Sequence, residues 1–459
     1  MIAKASQTHN LDIESQDALA FAYQYGYPLY AYGRFSKAHS NTPNNTLIHE
    51  RDLVKAGWTQ VVRPNNDTLY SFMLYDLSQH DLCISVPEFD RRYWAFSFYD
   101  MYGNNFANVG SQGDTPRKCT LLYSKGTVSF GVSMHQEIAN IDSPTPYGIF
   151  LARINLLDQE ADKAKVNGFQ DGMEVDVKPR KEGSLAPVFD RGIFLRVAES
   201  GSEAEQVLQL TAALAVTNQP GVMQDRAWVA STLEKAGIKA GKFVQPPKTS
   251  LTAAVEAGKM AALAMRSTAG FTRYLGNNWR ASSPLISGNF GSYYAARYLV
   301  AVRGYLQPTA DQSSYPTWCP DEGTLGLGSP RCTVGPRQAI MFSFSEKPRL
   351  EATGFWSLTL YGPDELFVAN DLNRYSLGDR SDLTYPDGTP LKDRDGASFE
   401  ILVQPNDVPP PKQYLNNWLP APAGGGAVSF TLRLFAPSKG MLDGTYGYPE
   451  VTVIDAITD

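Results

Sequence analysis

Hydrophobic periodicity changes twice along this chain, and the two changes constrain its fold more than any single motif does. From Thr68 to about Leu156 apolar residues recur at every second position, as in Leu82, Ile84 and Val86, and again in Trp94, Phe96 and Phe98. That period belongs to strands, whose side chains point alternately to the two faces of a sheet. The Trp94 strand is bulky on its other face too (Tyr93, Ala95, Tyr99), which predicts a central position. From about Ser202 to Leu306 the spacing becomes helical. Ser202 and Glu205 form a capping box ahead of VLQLTAALAV, Trp228 to Ala236 stops at Gly237, Ser250 opens an Ala-rich helix, and Ser292 to Tyr305 is a fourth helical stretch. An earlier helix is expected from Asp12 to about Tyr32, kinked or ended at Pro28. Beyond Ala339 the period of two returns, in Phe355–Tyr361, in Phe399, Ile401 and Val403, and in Val428, Phe430, Leu432 and Leu434.

The chain therefore reads as mainly β with a helical domain. An N-terminal helix and lead-in occupies 1–57, a first β-sandwich 58–200, a helical region 201–306 and a second β-sandwich 307–459. Turn-rich pieces such as YPDGTP, PNDVPPP and APAGGG between short strands favour a sandwich or jelly roll for the last part. YWAFSFYD at 93–100 echoes FWSLTLYG at 355–362, as two sandwiches with similar central strands would, or as strand propensity alone would.

A formal charge of −6 without a basic run excludes nucleic acid and anionic membrane as partners. No apolar stretch approaches the roughly 20 residues of a membrane span. The first residues lack the apolar core of a secretory signal, so a cytoplasmic location is expected. The five histidines never fall in H-x-H or HExxH spacing, the four cysteines form no C-x-x-C pair and no G-x-G-x-x-G follows a strand, so no metal and no cofactor is expected, with a hard cation on Asp67, Asp100 and Asn oxygens as the lesser alternative. Cys319 and Cys332 bracket a Gly-rich loop and are either bridged or free.

Chemistry concentrates in VVRPNNDTLY, Val61 to Tyr70. Arg63, Asn65, Asn66, Asp67 and Thr68 stand before a strand, and Asp100, Tyr102, Asn104 and Asn105 stand after the next strongly patterned one. If the two loops share one end of the first sandwich, Asp67 or Asp100 takes a proton, Tyr70 or Tyr102 gives one, and Arg63 and the amides hold an oxyanion. The bland alternative is a set of turns in which Asn and Asp bond their own backbone. Arg153, among Phe150, Leu151 and Ile154, needs a carboxylate if buried, and either completes that site or bridges the modules. Arg374 and Tyr375 in ANDLNRYS would face the same cleft from the C-terminal side, or anchor one sandwich on the other. The expected function is cofactor-independent acid–base chemistry (hydrolysis, elimination, isomerisation or cyclisation) on a partly apolar oxygenated molecule in an aromatic-lined cleft. The alternative is a carbohydrate- or small-ligand-binding or assembly protein; a homo-oligomer is compatible with both.

RPNNDTLY followed by VPEFDRRYWAFSFYDMYGNNFANVGS resembles the N-terminal module known as domain of unknown function 1254. FWSLTLYGPDELFVANDLNRYSLGD, NNWLPAPAG and LRLFAPSKGMLDGTYGYPEV resemble its partner, domain of unknown function 1214. The resemblance implies an immunoglobulin-like sandwich and a jelly-roll-like sandwich joined by a helical region. It brings no settled activity and no assigned catalytic residue.

Overall fold

The computed structural model describes residues 13–59, 62–113, 115–124, 130–180, 183–199, 201–318 and 331–458, without the side chains of 159 and 160. Val61 and Cys319, and with Cys319 the proposed bridge to Cys332, lie outside them.

The N-terminal β region consists of two five-stranded sheets packed face to face. The first runs in the order Ile48–Glu50, Thr68–Asp76, Tyr147–Asn155, Trp94–Asp100, Asn105–Gly110. The second runs Val175–Pro179, His80–Ser85, Lys118–Tyr123, Ile138–Ser143, Gly131–His135. Alternation decides which side chains meet between them: Leu69, Met73, Phe96, Phe98, Phe150 and Ile154 from the first sheet close on Leu82, Ile84, Leu121 and Ile141 from the second. The Trp94 strand is buried throughout and paired on both sides, as its two bulky faces require.

Eight α-helices lie among the described residues, in chain order α1 (Ile13–Lys37), α2 (Gln159–Asp171), α3 (Ile193–Ala198), α4 (Glu203–Leu214), α5 (Arg226–Lys235), α6 (Leu251–Ser267), α7 (Tyr294–Arg303) and α8 (Lys439–Asp443). The Ser202–Glu205 capping box forms, and Ser250 caps α6. Helix α1 does not stop at Pro28 but runs nine residues past it. It is apolar on every side, with α4, α5, α6 and α7 packed around it, so tertiary burial outweighs the roughly 3 kcal/mol that an internal proline costs. Close contact is made at glycines: a Cβ on Gly26 would lie 1.7 Å from the Thr211 hydroxyl of α4. This bundle covers one end of the outer face of the first sheet, where Phe72, Leu74, Tyr99, Ile149 and Leu151 join its core. Tyr25, Tyr102 and Tyr294 enclose the buried Arg297 guanidinium at 4.2–4.8 Å, so much of the tyrosine content is spent here rather than in a cleft.

The C-terminal β region repeats the two-sheet plan. Ser313–Ser314, Gly426–Pro437, Leu350–Tyr361 and Ser376–Gly378 make the front sheet, which Cys332–Val334 also joins. Trp418–Ala421, Phe399–Pro405, Gln338–Phe344 and Glu450–Asp455 make the back one. Trp356, Leu358, Leu360, Phe430, Leu432 and Leu434 point into the core. The opposite face of the same strands carries Ser357, Thr359, Tyr361, Ser429, Thr431 and Arg433. All six are buried, because this polar face lies against the N-terminal region. Tyr93 meets Phe355 and Phe435 across the joint at 5.6 and 5.4 Å, so the two strands that echo each other in sequence also meet in space.

Candidate functional site

The two loops expected to converge do not. Strands Thr68–Asp76 and Trp94–Asp100 both run antiparallel to Tyr147–Asn155, and so parallel to each other. Thr68, at the start of one, is level with Asn155; Asp100, at the end of the other, is level with Gly148. Seven positions of strand, about 23 Å, separate a loop that enters one from a loop that leaves the other.

The loop after Trp94–Asp100 is an anchor for the helices. The Asp100 carboxylate accepts the Tyr102 and Asn104 amides at 2.9 and 3.0 Å and the Asn104 side-chain amide at 2.7 Å. Burial pushes its carboxyl up, against those bonds. Tyr102 donates to the Asn218 carbonyl at 2.9 Å, and burial raises its hydroxyl well above the ordinary range, so its proton is held in that hydrogen bond. Asn105 gives its amide hydrogens to the Phe98 and Ala107 carbonyls and receives Thr309 N. These residues hold structure.

Arg63 is a clamp between modules. Its guanidinium pairs with Glu365, donates to Ser429 at 3.0 Å and to Thr431, and stacks 4.2 Å from the Tyr361 ring. Its φ of +49° is left-handed, a conformation that costs a side-chain-bearing residue about 1 kcal/mol or more. Asn65 spends itself on its own turn, receiving Asp67 N at 2.7 Å and donating to Thr68 and Tyr70 at 3.0 and 2.9 Å. Arg153 reaches neither Asp67 nor Asp100. It donates to Ser97 at 3.2 Å and to the Leu306 carbonyl at 2.9 Å. Leu306 and Tyr305 are both left-handed, at +53° and +54°, and Tyr305 is tied to the Met101 carbonyl at 2.7 Å. Arg153 therefore bridges the first sheet and the segment leaving α7.

Asn66 and Asp67 do meet Arg374 and Tyr375. The four residues share a cavity of about 240 Å³ at the junction of the β regions, with Trp356, Arg380 and Asp382 also in its wall. Asp67 is buried and holds Arg380 through one oxygen; Ser357 donates to the other at 2.6 Å. Arg380 also donates to the Asn66 carbonyl at 2.6 Å. Its Nη1 is buried without an acceptor among the described residues. Asp379 accepts the Trp356 amide at 3.0 Å. Asp379 is exposed and lies beside the cavity wall rather than in it, yet its carboxyl is pushed up to about 7. Crowding by surrounding protein is the main cause and the Asp67 charge adds to it, against the Trp356 amide and Lys347. Arg374 spends its Nη1 on the Leu415 and Trp418 carbonyls at 2.6 and 2.8 Å, and Tyr375 stacks on Phe367 at 4.8 Å and donates to Asn373 at 3.1 Å. The wall is mostly polar, with Trp356 and Tyr375 as its aromatic members.

Sequence reasoning missed Ser357, Asp379 and Arg380. The signal was present in SLGDRSD, where an arginine between two acids directly follows a strand. Among the described residues no group of three or more His, Cys, Asp or Glu side chains gathers in a way that would hold a metal ion, and no helix is long and apolar enough to cross a membrane.

Fold and site together define a class: a mainly β chain of several sheets with a helical cover and a polar cavity where its two β regions meet. The chain carries the protein of unknown function (DUF1254) domain over residues 44–177 and the protein of unknown function (DUF1214) domain over residues 335–439. The VPA0106 protein from Vibrio parahaemolyticus has a similar crystal structure, with a TM-score of 0.61 and 19% identity over 96% of this chain and 100% of that one. A putative uncharacterised protein from Burkholderia cenocepacia is a more remote neighbour, with a TM-score of 0.44 and 10% identity over 94% of this chain and 88% of that one. No curated protein matches the chain.

Proposed function

We propose that the junction cavity binds a small oxygenated molecule. The observation that carries this reading is an unmet donor, Arg380 Nη1, on a cavity wall supplied by both β regions. A buried donor left without an acceptor costs free energy, and a ligand's carboxylate or hydroxyl oxygen would meet it. The proposal keeps the two β regions as immunoglobulin-like and jelly-roll-like sandwiches, supported by their paired sheets and alternating cores. A thermal-shift screen of small hydroxy acids, keto acids and sugars tests it. Hits are expected with the parent chain and are expected to vanish in Asn416→Trp, which fills the cavity from an exposed wall position without touching the Asp67–Arg380 pair. Hits that persist in Asn416→Trp, or a screen without hits, would sink the reading.

A second reading adds catalysis, and Asp379 favours it. A carboxyl pushed up to about 7, between the wall residues Gly378 and Arg380, suits proton transfer near neutral pH, in hydrolysis, elimination or isomerisation of the bound molecule. In this version Asp67 fixes Arg380, and Asp379 rather than Asp67 exchanges the proton. Turnover of a screening hit that survives Asp379→Asn would leave binding alone.

A further inference from the structure

A second cavity, of about 400 Å³, runs along the edge strand Asn105–Gly110, away from the junction and independent of the reading above. Two carboxamide oxygens on its wall residues, Asn108 Oδ1 and Gln312 Oε1, are buried without a donor among the described residues. Neither is a matter of amide orientation. Asn105 Oδ1 already receives the Thr309 amide at 3.0 Å and faces Asn108 at 2.8 Å, so Asn108 must present its NH₂ there. Gln312 likewise must give its NH₂ to the Asp311 carboxylate, at 2.8 Å. Ser111 N bonds the Trp94 carbonyl at 3.0 Å, and in that register Asn108 turns both its N–H and its carbonyl to the free edge of the sheet, so the main chain supplies one donor and one acceptor there. Asp311 is the one charged side chain among the described residues of the wall, and it is exposed. Val132 and Met134 add apolar surface that is 41% and 37% exposed.

We propose that this cavity binds a small organic ammonium ion. Its N–H groups are received by the Asn108 and Gln312 oxygens, its charge is matched by Asp311, and its carbon chain lies on Val132 and Met134. An anion finds no cation there, and a neutral hydroxyl leaves Asp311 without a counter-charge. Isothermal titration of the full chain with n-butylammonium, butan-1-ol and butyrate tests the assignment. The ammonium is expected to bind more tightly than the alcohol, and butyrate not at all. Gln312→Met and Asp311→Asn should each weaken ammonium binding about tenfold. Asp311→Asn alters an exposed group and is expected to leave the melting curve in place, so it decides the matter alone if Gln312→Met fails to fold. Equal affinity for ammonium and alcohol, ammonium affinity that survives the substitutions, or no binding of any of the three overturns the proposal.

Discussion

Replacing Asp67 by asparagine is the most informative single perturbation of this molecule. Asp67 and Arg380 are 1% and 9% exposed, so Asp67→Asn strands a guanidinium where water barely reaches it. Removing one member of a buried pair costs about 3–5 kcal/mol. Asparagine still accepts from Ser357 and offers a carbonyl to Arg380, which places the loss near the lower end, about 3 kcal/mol. Arg380→Gln should cost a similar amount, because it leaves Asp67 with the Ser357 hydrogen bond and only the more remote Arg433 as a cation. The double variant removes both charges, so its loss should fall short of the sum by about 2 kcal/mol or more. Urea unfolding read by tryptophan fluorescence measures all four corners of the cycle, with Trp356 in the cavity wall as a local reporter. The Arg51–Asp171 pair, 36% and 68% exposed, serves as a control and should couple by less than about 1 kcal/mol. Single losses below about 1 kcal/mol, or a strictly additive double, would refute the view that this pair is a desolvated unit.

Three further outcomes are expected. Arg63→Gly should be more stable than Arg63→Ala by about 1 kcal/mol in urea titrations, because both lose the clamp but only alanine keeps the strain of a left-handed φ; equal values would count against strain there. Gly26→Ala should lower the melting temperature despite a gain of about 1 kcal/mol in helix propensity, since the new methyl collides with Thr211; a stabilised variant would mean α4 stands further off. Asp379 should make stability fall as pH rises from about 4 to about 7. In that window the unfolded carboxyl is ionised while the folded one keeps its proton, so the folded state binds more protons. Asp379→Asn should flatten this part of the profile, and an unchanged slope would exclude Asp379 as its source.

Much of the local order was legible because it depends on residues close together in the chain. The Ser202–Glu205 box, the Gly237 stop and the alternations around Phe96, Leu358 and Leu432 appear where spacing predicts them. Arg374 and Tyr375 line one cavity with Asn66 and Asp67, which leaves open the two readings given for them, a shared cleft and an anchor between the β regions. The convergence of the Asp67 and Asp100 loops was misread because strand direction is not local information. Only the intervening strand Tyr147–Asn155 shows that an entering loop and a leaving loop fall at opposite ends. The acceptors of Arg63 and the partner of Asp67 were invisible for a related reason: Arg380 stands 313 positions further on. Of the two outcomes expected at Pro28, a kink or an end, the end is excluded, because the four helices that enclose α1 outweigh local propensity.

The position of α1 also has a consequence for biosynthesis. This helix leaves the ribosome before every element that later encloses it, and the last of these, α7, ends at Arg303. Until then its greasy, tyrosine-studded surface has no permanent cover, at a stage when exposed apolar surface invites aggregation. Translation speed through the intervening β region and access to a holding chaperone should therefore affect the yield of native protein.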